Sequence, residues 1–278
     1  MTNTHRVAFQ GERGAFSEAA TVAFFGEQIE PVPCKDFETV FELVTTGRVN
    51  QGVLPVENSL GGSIHRNYDL LLRNERLYII GEVQIPIAHQ LIALPGISLA
   101  DITAVYSHPQ ALAQCEHSIT KRLPHVIKRI PTYDTAGSVK MIKEKQIENG
   151  AGLASARSVQ IYDMNVLMTD MQDDSENYTR FVVVSPESVI PTGDAKTSIV
   201  FSVKNMAGVL FKTLAVFALR DIDLTKLESR PLQGKRWQYF FYLDFMGSQH
   251  EERCQNALNH LQEITTYFRV LGSYPRGV

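Results

Sequence analysis

Four short segments carry residue types that bind anions and donate protons. The first, Gly11-Glu-Arg-Gly14-Ala-Phe-Ser17, follows an apolar run and opens a helix. Its backbone N–H groups and Ser17 are placed to face an anion, although a plain strand-to-helix turn fits the same residues. It lacks the Gly-Lys-Ser/Thr ending of a phosphate loop. The second, Leu54-Pro-Val-Glu57-Asn58-Ser59-Leu-Gly61-Gly62-Ser63, carries a strand into polar residues. Ligands gather at such strand ends in open α/β sheets, which singles out Glu57, Asn58 and Ser59; a solvated turn with Ser63 capping the next helix is the alternative. The third, Tyr106-Ser107-His108-Pro109-Gln110, repeats that grammar with Pro109 at a helix start. It offers Ser107 and Gln110, or no more than a capped helix. The fourth, Asn177-Tyr178-Thr179-Arg180-Phe181, leaves an acidic loop and enters an apolar strand. An arginine there suits a two-point grip on a carboxylate, unless the neighbouring acids hold it.

Other chemistries find less support. The eight histidines show no metal-type spacing and Gly-x-Ser-x-Gly is absent, so neither a metal site nor acyl hydrolysis is expected. Cys34, Cys115 and Cys254 are far apart in sequence and read as reduced thiols without a catalytic role.

The elements that must position these segments follow from periodicity. Up to residue 184, short β-branched runs alternate with amphipathic stretches, the pattern of an α/β domain. Strands are predicted at 6–10, 51–56, 77–84, 102–107, 126–130, 151–154 and 180–184. Helices are predicted at 16–25 before Gly26, at 37–46 between Asp36 and Gly47, and at 110–122 after Pro109. Residues 185–196, rich in Pro, Gly and Ser, read as a linker. Beyond it lie a strand at 197–203, a helix at 208–220, a hairpin of 223–231 with 237–245, a helix at 251–264 and a strand at 267–271. That order, βαββαβ, is the ferredoxin-like plan. The expected domains are therefore 1–184 and 197–278.

With 278 residues, 44% hydrophobic and 21% charged, the chain reads as an ordinary globular protein of two domains. A formal charge of -3 without a basic run argues against nucleic acid and anionic membranes. The start of the chain has no signal-peptide pattern and no apolar stretch is long enough to span a bilayer, so a cytoplasmic location is expected.

The four segments, in this order and ahead of a βαββαβ unit, resemble the prephenate dehydratase family over nearly the whole chain. The matching signatures are Gly11 to Ser17, Pro55-Val-Glu-Asn-Ser59, Ser107-His-Pro-Gln110 and Asn177-Tyr-Thr-Arg-Phe181. Glu12 stands where the family usually has proline and Ala15 where it has threonine. The C-terminal unit resembles the family's regulatory ACT domain through Asn205-Met-Ala-Gly208-Val209-Leu210 and an intact Glu228-Ser229-Arg230-Pro231. The fold this resemblance implies is a two-lobed α/β catalytic domain similar to type II periplasmic binding proteins, followed by the α+β ferredoxin-like sensor.

The activity it implies is loss of water and carbon dioxide from prephenate to give phenylpyruvate, without metal or cofactor. On that basis Thr179 is the hydrogen-bond donor to the leaving hydroxyl, with Glu57 or water as the relay; Glu57 as a support for the cleft backbone is the other reading. Arg180, Gly14 and Ser17 are assigned to carboxylate binding, Asn58, Ser59, Ser107 and Gln110 to orientation, and Phe181 to the substrate pocket. L-phenylalanine is the implied effector, held by Asn205, Gly208, Val209, Leu210, Glu228, Ser229 and Arg230, in a dimer or dimer of dimers. Three rivals stay open: a non-catalytic carboxylate binder, a metabolite-responsive regulator, for which no DNA-binding helix-turn-helix is found, and a dehydratase acting on arogenate, the amino analogue of prephenate.

Overall fold

The computed structural model describes residues 4–124, 126–232 and 238–277. The predicted start of the second hairpin strand at Trp237 lies outside them. The chain opens with β1 (Arg6–Gln10), α1 (Phe16–Phe25), β2 (Glu30–Cys34), α2 (Phe37–Thr45), β3 (Gln51–Asn58) and β4 (Gly62–Ser63). It continues through α3 (His65–Arg73), β5 (Tyr78–Pro86), β6 (Gln90–Ala93), β7 (Ala104–Ser107), α4 (Pro109–Gln114), α5 (Glu116–Arg122) and β8 (Lys128–Pro131). Then come α6 (Thr135–Lys145), β9 (Gly150–Ala154), α7 (Ala156–Tyr162), β10 (Asn165–Met168) and β11 (Tyr178–Ser185). The last part is β12 (Ala195–Ser202), α8 (Val209–Ala218), β13 (Leu224–Pro231), β14 (Tyr239–Met246), α9 (Glu252–Ile264) and β15 (Tyr267–Pro275).

Two mixed α/β sheets build the N-terminal region. One has the order β2-β1-β3-β11-β5 with β4 paired to β3; the other runs β10-β6-β9-β7-β8. In both, the sequence signals place the elements for identifiable reasons. The Asp36 carboxylate caps α2 by accepting the Thr39 N–H at 2.8 Å, and Gly26 ends α1 with a left-handed φ of 80°. The strand β2, Glu-Pro-Val-Pro-Cys, escaped the sequence reading because of its two prolines; as the edge strand of its sheet it tolerates them. The helix expected over 110–122 is two helices that break at Cys115. Asp173, from the acidic loop, accepts the N–H groups of His117 and Ser118 at 2.9 and 2.8 Å, supplying α5 with its own N-terminal acceptor.

The C-terminal sheet has the order β13-β14-β12-β15, with every pairing antiparallel, and α8 and α9 follow β12 and β14 in the ferredoxin-like succession. Its core joins Ile199, Phe201, Leu243 and Phe245 to Val216, Phe217, Leu258 and Leu261 of the helices. By packing density the chain divides into two compact units, and 68–82 groups with 182–278 rather than with the N-terminal residues that surround it in sequence. Within that second unit the Tyr242 hydroxyl donates to the Tyr68 carbonyl at 3.0 Å, and Arg269 donates to the carbonyls of Leu71, Asn74 and Leu77. No helix among the described residues is long and apolar enough to cross a membrane.

Candidate active site

The first unit holds a cavity of about 320 Å3 to which both α/β sheets contribute. Asn58, at the end of β3, and Thr179 and Phe181 of β11 line it from one sheet; Gln110 and Gln114 of α4 line it from elements of the other. Phe16, Ile64 and Ile87 make its apolar walls. Thr179 and Phe181 share a face of β11 because side chains alternate along a strand.

Asn58 organises the polar side. Its Nδ2 lies 2.7 Å from Asn177 Oδ1, 3.0 Å from the Tyr178 carbonyl and 3.0 Å from Thr179 Oγ1, while its Oδ1 accepts the Gly61 N–H at 2.7 Å. Three acceptors around one amide nitrogen fix the orientation of the side chain. The Thr179 oxygen thus accepts from Asn58, which leaves the hydroxyl hydrogen for a different acceptor. Thr179 is buried at 7% exposure yet sits in the cavity wall, so that hydrogen is held in a place where a ligand can take it.

The other residues singled out by sequence divide into those the structure gathers here and those it does not. Gln110 lines the cavity, and Ser17 lines a neighbouring one of about 520 Å3. Gly14 does not offer its amide to a ligand: the N–H donates to Glu18 at 2.5 Å, and its carbonyl accepts from Ser155 and Ser158. The expected anion cradle is thus filled by a carboxylate from its own helix, Glu18, which also pairs with Arg13 and Arg157. Ser59 ties the loop after β3 to β11, donating to the Glu176 carbonyl at 2.7 Å and accepting the Tyr178 N–H at 2.9 Å. Ser107 is fully buried and donates to the Leu153 carbonyl at 2.6 Å, a bond between strands rather than toward a ligand. Arg180 falls between Thr179 and Phe181, so strand alternation turns it from their face; it lies 3.9 Å from Glu57, and neither contributes to the cavity wall.

The proposed effector residues are likewise split. Gly208 precedes α8 with a left-handed φ of 75°, Asn205 is exposed, and Val209 and Leu210 are half-buried. Ser229 lies opposite Phe241 and so shares the helix-covered face of its sheet, whereas Glu228 and Arg230 point to the other face. There Arg230 donates to Asp69 at 3.0 Å. The two-residue period of the strand thus sets Ser229 on one face and Glu228 and Arg230 on the other.

Sequence reasoning missed His89 and Gln114. Gln114 stands one helical turn after Gln110, a spacing that puts both on one face and was readable. No motif marks His89, which is 2% exposed, lines the cavity and rests edge-on against Phe16 at 5.3 Å. Burial holds its pKa down at about 4, against a smaller pull upward from the Gln114 side chain, so the imidazole is neutral at physiological pH. The cysteines are buried, and burial first, with acidic neighbours second, raises Cys34 to about 11 and Cys115 to about 12. Neither forms a thiolate near neutrality.

A family profile, a curated relative and a dehydratase crystal structure agree on one family. The family profile described as prephenate dehydratase matches residues 7–189. Arogenate dehydratase 2 of Petunia hybrida is 50% identical over 286 residues, covering 97% of this chain and 71% of its own. The crystal structure of prephenate dehydratase from Arthrobacter aurescens in complex with L-Phe superposes with a TM-score of 0.89 at 33% identity, covering 98% of this chain and 90% of that one. A structure titled GqqA, a novel type of quorum quenching acylase, also gives 0.89, at 30% identity and 98% coverage of each chain.

Proposed function

Since the chain belongs to the prephenate dehydratase family, hydro-lyases of phenylalanine biosynthesis, we propose that it dehydrates and decarboxylates the ring system that prephenate and arogenate share, with Thr179 as the donor to the departing oxygen. In this reaction the electron pair of the bond to the ring carboxylate moves into the ring as carbon dioxide leaves. The pair of the C–O bond across the ring departs with the hydroxyl, which takes up one proton and becomes water. Aromatisation drives the step, and the protein's task is to orient the ring and to meet negative charge on the leaving oxygen.

One observation carries this reading: Asn58 Nδ2 lies 3.0 Å from Thr179 Oγ1 and can only donate to it, so this contact leaves the threonine hydrogen unspent in the cavity wall. A threonine hydroxyl is too weakly acidic to give up its proton unaided, so it acts as a positioned hydrogen-bond donor with the proton resupplied from water. The partner of Thr179 is an amide, which takes no proton. That arrangement favours donation over the nucleophilic attack that acyl transfer requires. Phe16, Ile87 and Phe181 supply apolar walls for the ring, and Gln110 and Gln114 supply orienting amides.

The reading extends to control by L-phenylalanine at the entry to α8, where Gly208, Val209, Leu210, Asn205 and Ser229 remain candidates. The L-Phe complex of the Arthrobacter enzyme supports it. Met206, Phe211, Leu219 and Leu227 leave an exposed apolar set on the α8 and β13 side, which supports self-association into at least a dimer. Residence in the cytoplasm rests on sequence alone, and a relative in Arabidopsis thaliana is described as chloroplastic.

Incubating the purified full chain with prephenate and separately with arogenate tests the central proposal. Phenylpyruvate from the first or phenylalanine from the second is expected, slowed by millimolar L-phenylalanine. Turnover of neither substrate contradicts the catalytic reading, and indifference to L-phenylalanine contradicts the regulatory one alone.

A further inference from the structure

The cavity at Thr179 does not end there. Phe16, Ile64, His108, Gln110 and Thr135 line it and also line the neighbouring cavity of about 520 Å3, so the two adjoin within the first unit. Ser17, Lys35 and Asp134 line the second cavity and not the first, and Lys35 and Asp134 also border a third cavity of about 300 Å3 beside Gly11 and Glu12. A substrate whose ring sits by Thr179 can therefore extend its three-carbon side chain toward these residues.

Asp134 is the N-cap of α6, its Oδ1 accepting the Gly137 N–H at 2.8 Å. Its Oδ2 faces Gly11, where a Cβ would approach it to 3.0 Å. No lysine or arginine among the described residues forms an ion pair with it. The nearby Glu12 has its own partners, Lys140 at 2.9 Å and the Tyr133 hydroxyl at 3.1 Å. Burial first, and the like charge of Glu12 among the rest, raises the Asp134 pKa, while the amides of Gly137 and Ala136 and the imidazole of His108 oppose that rise. A carboxylate in this condition gains by meeting a cation. Ala15, where the family resemblance expects threonine, also lines this second cavity, and its methyl offers Asp134 no hydrogen-bond partner.

The two candidate substrates differ at the end that would lie here. Prephenate has an α-keto acid and brings two carboxylates and no cation; arogenate brings the same carboxylates and an α-ammonium. We propose that Asp134 is the counter-charge for that ammonium, so that this chain selects arogenate over prephenate, with Lys35 and Ser17 meeting the adjacent carboxylate. The inference rests on the dehydratase reading above. Specificity of this kind arises as much from the competitor's penalty as from the substrate's gain. The keto form would set an extra net negative charge against Asp134, in a wall where Glu38 already pairs with Arg66 and Asp36 with Lys35.

Asp134→Asn separates charge from structure, because asparagine caps a helix as well as aspartate does; Asp134→Ser is a second capping substitution should the first fold poorly. The measurement is kcat/KM for both substrates in the wild type and each variant, with melting temperatures beside them. The wild type is expected to favour arogenate by tenfold or more. Asp134→Asn is expected to lower kcat/KM for arogenate on the order of 30-fold, mainly in KM, while raising that for prephenate severalfold as the repulsion is relieved. An equal loss for both substrates would reduce Asp134 to a cap, and unchanged arogenate kinetics would remove it from the site. Wild-type protein inactive on both substrates would overturn the dehydratase reading itself, and this inference with it.

Discussion

Polar groups in the two units of this protein are used in opposite ways. In the second unit they are mostly engaged with one another: Lys196 pairs with Glu82 at 2.6 Å, Arg230 with Asp69 though its Nε has no partner, the Thr197 hydroxyl with Ser273 and the Gly247 carbonyl, and Ser198 with Tyr274. In the first unit, the residues around the cavity keep capacity in reserve. Asn177 Nδ2 and both ring nitrogens of His89 are buried without a hydrogen-bond partner meeting ordinary geometry, and the Thr179 hydroxyl accepts from Asn58 with its hydrogen unengaged. Buried polar groups are nearly always satisfied, so a cluster of incompletely satisfied ones marks where a ligand completes the network. The contrast teaches that a buried polar group in this fold signals stability where it is paired and a ligand site where several together are not.

The comparison can be broken at its strongest point by removing one member of a pair. Glu82→Ala leaves the Lys196 ammonium, 7% exposed, without its carboxylate, and also removes the acceptor of the Gly277 N–H. The expected cost is about 3–5 kcal/mol in urea unfolding, because a lone buried charge is far worse than a buried pair. A loss under about 1 kcal/mol would show that the pair is solvated and the contrast overstated.

Acid should strain the first unit through His89. Unfolded, a histidine titrates near pH 6.5; folded, this one titrates at about 4. Between these values the unfolded chain binds the proton and the native one does not, so stability falls as pH drops through that window and is unaffected above it. The full contribution is on the order of 3 kcal/mol. His89→Gln should lose less stability than wild type between pH 7 and 4.5, and parallel curves would show that the imidazole is solvated.

Asn58→Asp retains the acceptor for the Gly61 N–H but turns the donor facing Thr179 into a second acceptor. The threonine hydrogen then points to the new carboxylate instead of the cavity. A loss in kcat of about 100-fold, near 2.7 kcal/mol, is expected with the circular dichroism spectrum unchanged. Ser59→Ala, by contrast, removes two hydrogen bonds that tie a loop to β11, and its effect should be about 1 kcal/mol in stability with kcat little altered. A large fall in kcat there would return Ser59 to the site.

Much of this was legible in the sequence because the informative signals are local. Gly26, Asp36 and the strand periodicities fix elements within a few residues, and the ferredoxin-like order came through whole. Thr179, Asn58 and Gln110 were likewise found at element ends, where side chains can leave the core. What local signals did not reveal depends on partners distant in sequence or in space: Glu18 meeting the Gly14 amide, Asp173 splitting a helix, and Glu57 lying 3.9 Å from Arg180. His89 had no local signature, since its meaning lies in the absence of a partner in three dimensions.

The central claim is that the Thr179 hydroxyl, with its oxygen held by Asn58, donates to the leaving oxygen. Thr179→Ser keeps the hydroxyl, and Thr179→Val keeps the shape without it. The direct measurement is single-turnover release of product from whichever substrate the wild type accepts. The account predicts that the serine variant stays within about tenfold of wild type while the valine variant falls by 100-fold or more, beyond about 2.7 kcal/mol. A valine variant as fast as the serine variant would contradict it.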